Sequence, residues 1–201
     1  AGISHIAPEE FEDDDEEIIN GAIIGKPNAG KSSLVNRILG QERVIVSDIP
    51  GTTRDAIDVM FEKNDKKYVF TDTAGLRKRG KIDENIERYS AVRSLLAVDR
   101  SDVVVMIIDA NEGVTEQDTK IAGYAHDQGK AMIVVVNKWD LVEKETNTMK
   151  EYETKVMEGF NFMLYAPILF MSAKTGSRVD KIFETIKYVN EQNCMGIQTG
   201  V

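Results

Sequence analysis

The chain has 201 residues, one cysteine, a formal charge of −9 and no apolar run long enough to cross a bilayer. These values predict one domain with a full core, no disulfide or structural metal, no secretory leader, no membrane partner and a reducing cytoplasm as its place. The charge does not exclude RNA, because the acid run from Glu9 to Glu17 precedes any basic residue and leaves the remainder nearly neutral. Residues 1–17 therefore read as an acidic flexible linker. The chain opens on Ala1 rather than Met and reads as a piece of a longer protein.

The apolar run Ile18 to Ile24 predicts the first strand. It leads into Gly25-Lys26-Pro27-Asn28-Ala29-Gly30-Lys31-Ser32-Ser33, which fits the phosphate-loop pattern G-x-x-x-x-G-K-[ST]. Its glycines allow successive N–H groups to face phosphate oxygens; Lys31 suits the β/γ oxygens and the Ser32 hydroxyl suits Mg²⁺. Leu34 to Leu39 predict the helix whose N-terminus faces those phosphates. Gln41 to Arg54 is rich in turn residues and reads as a mobile loop. Ile57, Val59 and Phe61, a turn at Asn64-Asp65, and Tyr68 to Asp72 then predict an antiparallel hairpin.

After the hairpin come Asp72-Thr73-Ala74-Gly75-Leu76 and a basic loop, Arg77-Lys78-Arg79-Gly80-Lys81. A helix is expected with Ile82, Ile86, Tyr89 and Leu96 near helical spacing. Val103 to Asp109, Ala131 to Asn137 and Ile168 to Met171 read as strands. Helices are expected from about Thr115 to Gln128, after a capping box at Thr148-x-x-Glu151 with Met149, Tyr152, Val156 and Phe160 on one face, and around Val179, Ile182, Phe183 and Ile186. The alternation predicts an α/β fold: a mostly parallel six-stranded sheet with one antiparallel edge strand and helices on both faces.

Asp72 ends a strand after the phosphate loop, where its carboxylate suits Mg²⁺, and Gly75 can give a backbone N–H to the γ-phosphate. Thr53 in the mobile loop can add its hydroxyl to Mg²⁺ and its N–H to the γ-phosphate, with Thr52 in reserve; loss of that phosphate would release both segments. Asn137-Lys138-Trp139-Asp140 decides the base, because one carboxylate at Asp140 accepts both N1–H and N2–H of guanine and meets a lone pair on adenine. Lys138 can lie along the purine face, Asn137 can tie the base loop to the phosphate loop, and Ser172-Ala173-Lys174 can give a backbone N–H to the guanine 6-oxo group. Trp139 reads as an apolar brace and a fluorescent reporter of binding. His5, His126 and Cys194 share no cluster, so thiol, triad and zinc chemistry have no support.

With these motifs in this order, residues 18–190 resemble the translational-GTPase-like P-loop G domains. The forms Pro50-Gly51-Thr52-Thr53-Arg54-Asp55 and Gly25-x-Pro27-Asn28 are similar to the Era/MnmE-type branch. Asp72 to Lys81, Asp99-Arg100-Ser101-Asp102, Gln117-Asp118 and Asn137 to Asp140 together resemble the second G domain of the tandem bacterial GTPase family Der, also called EngA. The resemblance implies a GTP/GDP switch in assembly of the large ribosomal subunit, meeting ribosomal RNA but not DNA. It also implies a G domain before this one, a KH-like domain after it, and residues 191–201 as the run toward the latter.

In Ras-like enzymes a glutamine after the Asp-x-x-Gly motif orients water, and Leu76 stands there in this chain. Slow turnover is expected, as is a K⁺ ion held by Asn28, which the branch resemblance implies; Arg54, Arg77, Arg79 and Lys81 are a rival source of the charge. The basic loop 77–81 is either an RNA contact or a solvated loop. A non-hydrolysing guanine-nucleotide sensor is the alternative function.

Overall fold

The computed structural model describes residues 17–41, 45–50, 57–71 and 84–198. In chain order these form β1 (Ile19–Gly25), α1 (Lys31–Leu39), β2 (Ile45–Pro50), β3 (Ile57–Lys63), β4 (Lys66–Phe70), α2 (Glu84–Asp99), β5 (Val103–Asp109), α3 (Glu116–Asp127) and β6 (Ala131–Asn137). A short 3₁₀ turn (Trp139–Leu141), α4 (Thr148–Gly159), β7 (Ile168–Phe170) and α5 (Lys181–Gln198) complete them.

One sheet runs in the order β2-β3-β4-β1-β5-β6-β7. The pairs β4–β1, β1–β5, β5–β6 and β6–β7 are parallel, whereas β3 is antiparallel to both neighbours. The six expected strands and their single antiparallel member are thus present. A further strand, β2, lies beyond β3 in the stretch read as the loop Gln41 to Arg54. Gly40-Gln41 and Pro50-Gly51 dominate the turn signal there, while Ile45-Val46 and Ile49 between them carry β-branched side chains. Pro50 lacks a donor and is tolerated at the end of an edge strand. At the β3–β4 turn Asn64 and Asp65 both have positive φ, 53° and 61°, as a hairpin turn matching strand twist requires.

The strands β5 and β6 are buried on both faces, which is why they read as continuous apolar runs. Val103, Val105 and Ile107 face one layer, with Leu34, Val35 and Ile38 of α1 and Ile182, Phe183 and Ile186 of α5. Val104, Met106 and Ile108 face the other, with Ala97 and Val98 of α2, Ile121 and Ala125 of α3, and Val156 and Phe160 of α4. Period-two alternation therefore divides each strand between two cores. In the α1/α5 layer, Phe61, Phe70 and Tyr68 gather edge-on around Phe183 or one another at 5.1–6.4 Å.

Two local expectations change. Leu96 is 54 % exposed, and the smaller Ser94, Ala97 and Val98 face inward instead, so the stripe drawn through Leu96 was rotated from the true one. The capping box lies at α3: the Thr115 side chain accepts from the Asp118 N–H and the Asp118 carboxylate accepts from the Thr115 N–H. At α4 the N-cap is Asn147, and Thr148 Oγ accepts from the Glu145 N–H at 2.6 Å, which removes it from the expected box. The last helix runs unbroken through residue 191 to Gln198.

Candidate functional site

The phosphate loop joins the end of β1 to the start of α1. At Gly25 an added Cβ would lie 2.4 Å from the Ile107 carbonyl oxygen, so β1 and β5 come this close only because Gly25 lacks a side chain. The chain then turns through Asn28 at φ 68° and Gly30 at φ 104°, the latter as the left-handed N-cap of α1. No side chain caps that helix and no acidic residue lies in its first turn. A helix N-terminus in this condition offers backbone donors and a positive dipole end to an anion. Lys31 reaches back across the loop and donates to the Gly25 carbonyl at 2.6 Å. Burial holds the Lys31 ammonium below its ordinary pKa, and the charge of Asp118 opposes that shift. An arriving phosphate would supply the negative partner that favours the charged form.

The base side begins at the end of β6. Asn137 is 3 % exposed and uses both ends of its amide: Nδ2 donates to the Ala29 carbonyl at 2.9 Å, and Oδ1 accepts from the Ala173 N–H at 3.0 Å. One side chain thereby ties the phosphate loop, the end of β6 and the loop after β7. Lys138 stands at φ 60° and pairs with Asp109 at 2.8 Å. Burial alone would raise the Asp109 pKa, but the hydrogen bond and charge of Lys138, with the Asn111 N–H, hold it below its ordinary value. Trp139 turns inward against Phe170 and Tyr152, with ring centroids at 4.6 and 5.0 Å, and braces the loop from the core. Asp140 remains exposed.

The loop after β7 closes on itself. Ser172 accepts from the Gly176 N–H through its carbonyl at 2.9 Å and from the Thr175 N–H through its hydroxyl at 3.1 Å. Together these segments enclose a cleft of about 750 Å³. Gly30 and Ser33 line it from the phosphate loop and α1, Asn137, Lys138 and Asp140 from the β6 end, and Ser172, Ala173 and Lys174 from the β7 end. The cleft lies outside the carboxyl ends of parallel strands, where open α/β sheets bind ligands.

The sequence profile of the family described as "50S ribosome-binding GTPase" matches residues 20–138 of this chain. The chain belongs to that GTPase family.

Among its relatives, GTPase Der of Acetivibrio thermocellus is 63 % identical over 193 residues, which are 96 % of this chain and 44 % of the relative. GTPase Der of Ruminiclostridium cellulolyticum is 59 % identical over 208 residues, 100 % of this chain and 47 % of that one. The chain thus spans less than half the length of these relatives, as one G domain of a tandem GTPase does. A crystal structure of Era in complex with MgGDPNP and a segment of 16S ribosomal RNA is 27 % identical, with a TM-score of 0.63 over 85 % of this chain and 56 % of that one. A single-substitution variant of Aquifex aeolicus Era bound to GDP·AlF4⁻ gives the same values.

The G domain places Gly25 to Ser33, Asn137 to Asp140 and Ser172 to Lys174 as three neighbouring loops. Thr52, Thr53, Asp72, Thr73, Ala74, Gly75 and Leu76, with Arg54, Arg77, Arg79 and Lys81, lie outside the described residues. Of the residues expected to hold Mg²⁺, Ser32 is described: it is half-buried in the first turn of α1, directly after Lys31, and its hard oxygen donor suits that cation. The family binds GTP or GDP, typically with Mg²⁺. No helix among the described residues is long and apolar enough to cross a membrane.

Asp109 and Glu112, which the sequence did not mark as site residues, and Asp118, which it marked only within the Gln117-Asp118 resemblance, support the site. Asp109 holds Lys138, Glu112 pairs with Lys26 at 3.3 Å, and Asp118, 2 % exposed, anchors the same loop through its capping box. Their signal was weak but present: Asp109 ends a buried strand, and Thr115-x-x-Asp118 has the capping-box spacing with Asp in the place of Glu. Arg37 gave no signal at all.

Proposed function

We propose that this chain is a G domain that binds GTP and Mg²⁺, hydrolyses GTP to GDP and phosphate, and switches between the two nucleotide states. The observation that carries the reading is the double hydrogen bond of Asn137, which joins a phosphate loop to a loop suited to the guanine 6-oxo group. In this reading Lys31 meets the β/γ oxygens; Ser32, Thr53 and Asp72 serve Mg²⁺; Thr53 and Gly75 meet the γ-phosphate; and Asp140 takes the guanine donors.

The resemblance to GTPase Der supports a place as the second of two G domains. Residues 1–17 then form the end of an acidic linker, residues 18–190 the G domain, and residues 191–201 the run toward a KH-like domain. The family description supports action of the intact cytoplasmic protein on the large ribosomal subunit, and the Era relative, bound to a segment of 16S RNA from the small subunit, supports contact with ribosomal RNA in general.

With Leu76 where Ras-like enzymes carry glutamine, hydrolysis is slow, and Asn28 would hold a K⁺ ion whose charge would offset part of that on the γ-phosphate. Phosphate release at equal ionic strength in potassium and in sodium chloride checks this. Potassium is expected to accelerate turnover, and Asn28→Gly to remove the gain. Glycine is the suitable replacement because Asn28 stands at φ 68°, where alanine would add backbone strain. Equal slow rates in both salts with GDP still bound would contradict the potassium mechanism. No phosphate release under any salt would leave the non-hydrolysing sensor as the reading.

A further inference from the structure

Arg37 lies in the last turn of α1, on its exposed side, yet its guanidinium leaves the helix surface to grip the loop after β7. Its Nε donates to the Ala173 carbonyl at 3.0 Å and its Nη2 donates to the Lys174 carbonyl. Two carbonyls in succession match the rigid two-pronged donor of a planar guanidinium, a fork that the point-like ammonium of a lysine does not preset. At Gly176, φ is 82° and an added Cβ would sit 3.6 Å from Arg37 Cζ, so the loop wraps around the guanidinium at its one left-handed glycine.

The consequence follows from peptide geometry. In a trans peptide the carbonyl and the N–H point in opposite directions. Turning the Ala173 carbonyl toward Arg37 therefore turns the Lys174 N–H away from it. The flanking donors are already committed: the Ala173 N–H to Asn137 Oδ1 at 3.0 Å, and the Thr175 N–H to Ser172 Oγ at 3.1 Å. The Lys174 N–H makes no hydrogen bond to the described residues, and Ala173 and Lys174 line the cleft together with Arg37 itself.

We propose that Arg37 is a positioning residue for base selection: it fixes the peptide between Ala173 and Lys174 so that the Lys174 N–H is presented to the 6-oxo group of a bound guanine nucleotide. This rests on the guanine-nucleotide reading above. Asn137 holds the loop from the sheet side and Arg37 holds it from α1, so the helix that begins at the phosphates also sets the base pocket.

The test compares the affinities of GDP and 6-thio-GDP, whose sulfur is a weaker acceptor, for wild type, Arg37→Ala and Arg37→Lys. Wild type prefers GDP; Arg37→Ala weakens GDP about tenfold, the loss of one well-placed hydrogen bond, and weakens 6-thio-GDP far less, so the preference collapses. Arg37→Lys, which keeps the charge and can still donate to the loop but lacks the planar fork, retains part of it. An equal weakening of both nucleotides, or none, overturns the proposal, because loosened structure alone does not change the ratio. Equal binding of both by wild type also overturns it. Failure of wild type to bind GDP at all refutes the guanine-nucleotide reading itself. Should Arg37→Ala fail to fold, the ratio in Arg37→Lys and Arg37→Gln decides in the same way.

Discussion

Replacing Asn137 with alanine is expected to cost the fold about 2–4 kcal/mol and to weaken GDP binding by roughly a hundredfold. The side chain is 3 % exposed, and its removal leaves the Ala29 carbonyl and the Ala173 N–H without their partner. Each end would be desolvated without compensation, a penalty of about 1–3 kcal/mol for a buried group. The affinity loss has a separate origin. The two loops are held together before nucleotide arrives, and in the variant binding must also order them. Urea unfolding measures the first effect and GDP titration followed by Trp139 fluorescence the second. Asn137→Asp separates the two ends, since a carboxylate still accepts from the Ala173 N–H but faces the Ala29 carbonyl with a second oxygen. An affinity within threefold of wild type in Asn137→Ala would show that the tie does not organise the site.

The larger effect is expected at Gly30. An alanine Cβ there would lie 2.0 Å from Asn137 Nδ2, and φ of 104° is open to glycine but strained for any L side chain. Displacing Asn137 is not cheap, because the amide is buried and bonded at both ends. Strain of about 1–3 kcal/mol adds to the loss of the tie. Gly30→Ala should therefore reduce GDP affinity by more than Asn137→Ala, to roughly a thousandfold below wild type, by distorting the phosphate loop as well as its link to the base. The two changes share one contact, so their effects are not additive. In the double variant the clash is gone, and its affinity should lie well above the value obtained by multiplying the two losses. Strict additivity would place the damage from Gly30→Ala elsewhere.

The motif residues were legible because each chemical role needs a residue type at a fixed spacing in one short segment. Gly25 to Ser32 can be read without a structure, and Asn137 to Asp140 follows from what guanine donates. Strands β5 and β6 were equally plain, since burial on both faces makes them continuous apolar runs. Strand β2 was obscured by the turn residues at its two ends, and Leu96 by a stripe that fitted helical spacing while the small Ser94 and Ala97 took the inner face. Arg37 could not be found by spacing, because its partners are 136 and 137 residues away and are main-chain carbonyls, which leave no mark on side-chain type. Asp109 and Glu112 are similar: a carboxylate near a strand end is common, and only the folded chain brings Lys138 and Lys26 to them.

The most direct test of a guanine-nucleotide site is a calorimetric titration of the wild-type chain with GDP and with ADP in the same magnesium buffer. The arrangement of Asp140, Asn137 and the 172–174 loop predicts that GDP binds at least about 10⁴-fold more tightly than ADP, because a site built to accept the guanine donors leaves its own polar groups unpaired with adenine. Comparable affinities for the two, or binding of ADP alone, would contradict it.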